Sequence, residues 1–301
     1  LVAISDGFQN IALYQYQIDN TDKAQVGHVA GIVCLGHRLG TITTKLVVLY
    51  VAHFANWKLA YECAAILIFI CMIFMLCMKE PGCIGDQSDT FDNTPRIRPL
   101  KSEYFHKLMD QLRYLSHQKY GSCTIWILIL YKASDFLIQK MSRIFCLEIG
   151  FSKLDIANVV QLFGSIAVVL GGFAGGFLIK KYGVIKSMIY LSILHMLSLF
   201  SYIFLLGKSY HILCAVIFFD GVSGGAVTAA FLAFLYSICK NGSQYAFSWA
   251  VHEIGGLIFR STSGILVDIL GWNLFFIIAP IISIPNIIIL NKISSHQLIK
   301  L

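Results

Sequence analysis

Apolar residues along this chain fall in long unbroken runs, and polar residues gather between them. Residues 156–179 carry no charged side chain, which at about 1.5 Å per helical residue is enough to cross a hydrocarbon core of about 30 Å. The run stops at Lys180, Lys181, Tyr182 and Gly183, and the next begins directly after Lys186. This pattern predicts a short basic hairpin between two spans, with glycine at the reversal. The second half of the first span holds Gly171, Gly172, Gly175 and Gly176. These form two overlapping small-xxx-small pairs, which strip bulk from one face and predict a closely packed partner helix.

The same reading extends along the chain. A first segment ends near Ile18, and a helix follows over about 24–52 with Arg38 and Lys45 inside it. A third opens at Trp57 and stops at Lys79, Glu80 and Pro81, where proline blocks continuation. Residues 79–121 are polar, then charged and periodic over 104–120, which predicts a linker containing an interfacial helix. Six more apolar runs occupy about 122–147, 154–180, 184–206, 210–239, 243–270 and 272–293. The predicted fold class is all-α: a polytopic membrane helix bundle of about nine transmembrane segments. Its parts are a helical unit at 1–78, a linker at 79–121 and a six-helix bundle at 122–301.

Composition narrows the function classes. Hydrophobic residues make up 57%, charged residues 13%, and mean hydropathy is +0.73, so a soluble globule of this size would lack polar surface. The net charge of +7 does not point to nucleic acid. The basic residues sit mostly in loops of one side, among them 79–121, Lys180, Lys181, Lys186, Lys240, Lys292 and Lys300, against Lys58, Lys153 and Lys208 on the other. The positive-inside rule then places the linker and the C-terminus in the cytoplasm. The nine cysteines are scattered without a CxxC or a His/Cys cluster, so neither a metal site nor a disulfide framework is expected. Residues 1–18 lack the basic and apolar regions of a signal peptide, and the chain reads as starting partway into a longer one. No nucleophile–base–orienter trio or phosphate loop is present, and GGFAGG lies inside a span. The expectation is a non-enzyme without cofactor.

Charges inside spans carry the remaining information. Lys132, Asp135, Gln139 and Arg143 recur at three and four residues and form a polar stripe on an apolar helix, which should face a cavity. Unpaired charge at mid-bilayer costs several kcal/mol, so Lys132 and Asp135 are expected to neutralise one another, either along a wet path or as a structural ion pair. Arg143 lies near the span's end and fits snorkelling. Asp220 shares a face with Gly224 and Thr228, while Gly221 and Gly225 form another close-contact pair. Asp220 reads either as a protonatable carboxylate or as one that caps a glycine-broken helix or pairs with Arg38 or Arg260. Glu253 and Arg260 lie two turns apart on one face. The adjacent His252 reads as a hydrogen-bonded structural residue, and His195, alone in an apolar run, as less informative still.

Three helices, a charged linker and six helices resemble a six-plus-six transporter of the major facilitator type lacking its first three spans. More specifically, ILYKASDFLIQKM (129–141), EIGFSKLDI (148–156), GGFAGGFLIKKYG, FFDGVSGGAVTAAFLAFLYSICK (218–240), SQYAF (243–247) and Gly271–Trp272 resemble the AmpG family of muropeptide permeases. SDGFQNIALYQYQID (5–19), GHRLG (36–40) and LVVLYVAHFANWKLAY (46–61) are similar to that family's fourth and fifth spans. The resemblance implies a proton-coupled permease of the bacterial inner membrane that imports anhydro-muropeptides for cell-wall recycling. Its partners would be the lipid bilayer, protons and a muropeptide-like solute. Candidates for the substrate and proton pathway are Lys132, Asp135, Gln139, Asp220, Arg38, Glu253 and Arg260, with Asp220 standing where the family has an acid. There are also departures. Where the family's fourth span carries Q-D-x-x-x-D-A-Y-R, this chain has Gln9, Asn10, Tyr14, Gln15, Tyr16 and Gln17. A family lysine is here Gln161, an asparagine Gly221 and an arginine Gly256. A degenerate membrane protein without transport, or a carrier of another small solute, is the alternative expectation.

Overall fold

The computed structural model describes residues 56–77, 122–152, 155–207, 209–239 and 242–298, with scattered positions between 13 and 51. The predicted linker 79–121, Arg38 and Lys45, and the 9–17 positions that depart from the family (Gln9 to Gln17, save Leu13 between them) lie outside the described residues.

Helices make up the described structure, and no strand occurs among the described residues. They are α1 (Trp57–Cys77), α2 (Ser122–Leu130), α3 (Ala133–Glu148), a π-helical turn Ile156–Phe163 leading into α4 (Gly164–Tyr182), and α5 (Val184–Phe200) ending in a 3-10 segment Ser201–Gly207. Then follow α6 (Tyr210–Ile238), α7 (Gly242–Ile281) and α8 (Ile284–Leu298). Five stretches among the described residues are long and apolar enough to cross a membrane: Trp57–Phe74, Asn158–Tyr182, Val184–Gly207, Tyr210–Ile238 and Gln244–Ser295. With no water in the hydrocarbon region, a spanning chain must satisfy its backbone internally, and these helices do so.

The α4–α5 hairpin turns at Gly183, whose φ of 78° suits glycine. Within α7 the chain reverses at Gly271, with φ 70° and ψ 165°. Gly255 lies against Ile129, Trp272 against Phe145, and Ser283 back beside Ser134. The polypeptide therefore climbs along α2–α3, turns at Gly271 and returns. The two runs 243–270 and 272–293 are these two passes, the second interrupted at Ile282–Ser283 before α8.

The run 122–147 departs from expectation. It is not one helix but two, broken at Tyr131 and Lys132, with Lys132 at φ −114° and ψ 19°. The break contains neither proline nor glycine. Lys132 thus stands at the head of α3, while Asp135 and Gln139 lie within it.

The glycine-rich face of α4 meets the glycines of α6. A Cβ built on Gly171 would come 1.9 Å from the Val222 carbonyl oxygen, and one on Gly225 would come 2.1 Å from that of Val168. Gly175 faces the Ala226 backbone, and Gly221 the side chain of Ala167. Gly172 and Gly176 are buried beside them. Backbones approach this closely only where side chains are missing, and dispersion between them replaces a hydrophobic drive that lipid cannot supply.

Two apolar clusters form inside the bundle. One gathers Ile127, Leu128, Tyr131, Met188, Phe231, Phe234 and Tyr245, and the other Leu137, Ile138, Phe145, Leu199, Leu213 and Phe275. Along α2–α3 the changeover falls at 132–136, along α5 at 192–198, and along α6 at 218–225. Each changeover carries polar residues, so a polar layer separates the clusters at mid-bundle. Outward faces are apolar, with Phe173, Phe177, Tyr190, Leu257, Ile265 and Ile269 exposed, as a lipid-facing surface requires.

Candidate functional site

The polar layer opens into a cavity of about 150 Å³. Helix α3 contributes Asp135, Gln139 and Arg143, because spacings of four keep them on one face once the helix starts after Lys132. The π-helical turn contributes Gln161, α5 His195, the 3-10 segment Tyr202, and α6 Asp220, Gly224 and Thr228. Thr41, from the first part of the chain, also lines it.

Lys132 Nζ lies 3.1 Å from Asp135 Oδ2 and donates a hydrogen bond of 3.1 Å to Thr228 Oγ1. Thr228 passes its own hydrogen to the Gly224 carbonyl at 2.8 Å. The lysine therefore ties the head of α3 to α6, and the break at Tyr131–Lys132 lets it lean both ways. Both side chains of the ion pair are mostly buried, at 15% and 18% exposure. Such a pair is costly to break one partner at a time.

Asp220 lies across the cavity. Tyr202 donates to its Oδ2 at 2.8 Å, and no Lys or Arg stands within ion-pair distance of it among the described residues. Arg260 is instead committed to Glu253 at 2.6 Å, donates to the Gly256 carbonyl, and lies over the Phe136 ring at 4.4 Å. Glu253 and Arg260 form a separate pair outside the cavity lining. The pairing of Asp220 with Arg260 is therefore not what the fold makes.

Between the two carboxylates sits His195. Its Nε2 is 3.9 Å from Asp135 Oδ1 and its Nδ1 is 3.9 Å from Asp220 Oδ1. Ser223 and Ser198 meet Nδ1 at 3.0 and 3.3 Å and join each other at 2.7 Å. Gly224 leaves room for the ring, since a Cβ there would touch Cε1 at 3.4 Å. In sequence this histidine stands in an apolar run. The signal was present in Ser192, His195 and Ser198, which recur every three residues on one face of an apolar helix. His252, by contrast, is a packed structural residue, with Nδ1 2.7 Å from the Leu128 carbonyl oxygen and its ring tilted against Phe231 and Phe136.

No family profile matches the chain. Individual relatives do. The Rickettsia bellii protein named "Putative transporter AmpG 1" is 27% identical over 300 residues, covering 98% of this chain and 72% of that one. The Rickettsia felis protein named "Putative transporter AmpG 4" is 24% identical over 288 residues, covering 93% and 68%. This chain is similar to AmpG-type transporters along nearly its whole length. Among solved structures, a bacterial homologue of the iron transporter ferroportin, in an outward-facing state, superposes with a TM-score of 0.65 over 97% of this chain and 70% of that one, at 12% identity. At that identity the likeness speaks to the fold alone, which this chain shares with that transporter. The AmpG resemblance read from the motifs thus has sequence relatives behind it, and the chain is a multi-pass membrane protein.

Proposed function

We propose that the chain is a proton-coupled permease of the bacterial inner membrane for anhydro-muropeptide-like solutes, with the linker and C-terminus on the cytoplasmic side. The observation that carries the proton part is the contrast between two carboxylates on one cavity. Asp135 is neutralised by Lys132, whereas Asp220 has a tyrosine hydroxyl and no Lys or Arg within ion-pair distance among the described residues. A carboxyl group in that position can bind a proton and remove the charge that the bilayer penalises, which links protonation to movement of the site. The solute class follows the AmpG resemblance, and the polar walls around Gln139, Arg143 and Gln161 suit a hydroxylated, amide-bearing and acidic sugar.

The test is uptake of labelled GlcNAc-anhydro-MurNAc into proteoliposomes holding the protein from its complete reading frame. An inward proton gradient should drive accumulation, and Asp220→Asn should abolish the driven part. Uptake indifferent to the gradient would refute coupling, and uptake of some other solute instead would refute the substrate class. Absence of all uptake would favour the non-transporting reading, which the replacement of family charges by Asn10, Tyr14 and Gln17 supports.

A further inference from the structure

His195 is a buried polar side chain, at 4% exposure, and only one of its two ring nitrogens has a hydrogen-bond partner. Its Nε2 is buried without a hydrogen-bond partner, and so is Asp220 Oδ1. Native structures rarely strand buried polar atoms, so each one needs an explanation. Here each orphan faces a complementary group at the same distance: Nε2 looks to Asp135 Oδ1 and Asp220 Oδ1 looks to Nδ1, both at 3.9 Å. The three residues come from α3, α5 and α6. An approach of about 1 Å, within the ordinary range of helix shifts in a conformational change, would turn both contacts into hydrogen bonds.

We propose that His195 is a proton bridge that joins Asp135 and Asp220 into one titrating unit, closed in one conformation and open in the other. This deepens the proton-coupled reading above and rests on it for its role in transport. When the gap closes, Asp220 as the carboxylic acid gives its proton to Nδ1, while the proton on Nε2 leaves for the Asp135 carboxylate. One proton has then moved from α6 to α3, Asp220 is left ionised, and the ring remains neutral with its hydrogen on Nδ1. In the open state cavity water takes the proton from Nδ1 and returns one to Nε2, which resets the bridge with no net change in the ring's charge, and Ser198 and Ser223 then hold Nδ1 as an acceptor. Among the described residues, the charged and titratable groups around the ring are Asp135 and Lys132 from α3 and its head, Asp220 from α6, and Tyr202 from the 3-10 segment. Lys132 holds Asp135 as the anion until the proton arrives, and release of that proton restores the ion pair.

The experiment is an infrared pH titration of the carboxylic acid C=O band in the purified protein, with the Asp220 contribution assigned by Asp220→Asn. Asp135→Asn should move the Asp220 midpoint by about one pH unit or more, as expected for groups that share a proton. In a His195→Gln background, where the side-chain amide still bonds to the serines, that coupling should fall by half or more, to the through-space remainder. Reconstituted His195→Gln should lose gradient-driven accumulation by about tenfold or more while retaining solute exchange without a gradient. An Asp220 midpoint unmoved by Asp135→Asn in the otherwise native protein would overturn the bridge, and that comparison does not depend on His195→Gln folding. Coupling undiminished by His195→Gln would also overturn it. Intact coupling in a protein that transports nothing would leave the bridge standing and defeat the permease reading.

Discussion

A buried ion pair is asymmetric toward mutation, because removing one partner leaves the other charged and stranded. Lys132 and Asp135 meet at 3.1 Å in the polar layer. Lys132→Ala should therefore lower thermal stability in detergent more than the Lys132→Ala, Asp135→Ala double variant does, by on the order of 1 kcal/mol. Equal losses in fluorescence-detected melting would show that the two act independently. Tyr202 supplies the hydrogen bond to Asp220 Oδ2, and Asp220 Oδ1 already has none. Tyr202→Phe should cost about 1–3 kcal/mol, and adding Asp220→Asn should recover part of it, since the amide replaces a carboxylate left without partners. A double variant less stable than Tyr202→Phe alone would contradict this account of the contact.

At the scale of elements, the close crossing of α4 and α6 makes a sharp contrast among glycines. Gly171 and Gly225 have backbone atoms where a methyl would go, whereas Gly264, also helical, has nothing within 4 Å. Gly171→Ala and Gly225→Ala should each destabilise by about 1–3 kcal/mol through overpacking. Gly264→Ala should be neutral or gain up to about 1 kcal/mol from helix propensity. Comparable melting points for all three would mean that the helices are not packed on their glycines. The small-xxx-small spacing was legible in sequence because it is local. The break between α2 and α3 was not, because no proline or glycine marks it and its counterpart, Thr228, lies 96 residues away.

For the whole molecule, the arrangement of basic loops argues one orientation, which cysteine accessibility reads directly. In a cysteine-depleted background, single cysteines at Asp89 and Ser295 should be protected from an impermeant thiol reagent in intact cells, and one at Ser209 should label. Labelling at Asp89 with protection at Ser209 would invert the topology.

The class of the fold followed from the sequence alone, because uncharged runs the length of a bilayer leave helices as the available structure, and glycine pairs, basic turns and family motifs are patterns between near neighbours. Lys132, Asp135, Gln139 and Asp220 could be nominated in the same way, since a charged or amide side chain inside a span is conspicuous whatever surrounds it. Which of them share a cavity was decided by tertiary structure. Arg260 was nominated as a partner for Asp220, but a bond to Glu253 within its own helix holds it elsewhere. His195 is flanked in sequence by apolar residues, yet the packing of α5 between α3 and α6 sets it between two carboxylates. Spacing along one helix fixes which residues share a face, whereas the partner of that face depends on how helices distant in sequence pack together.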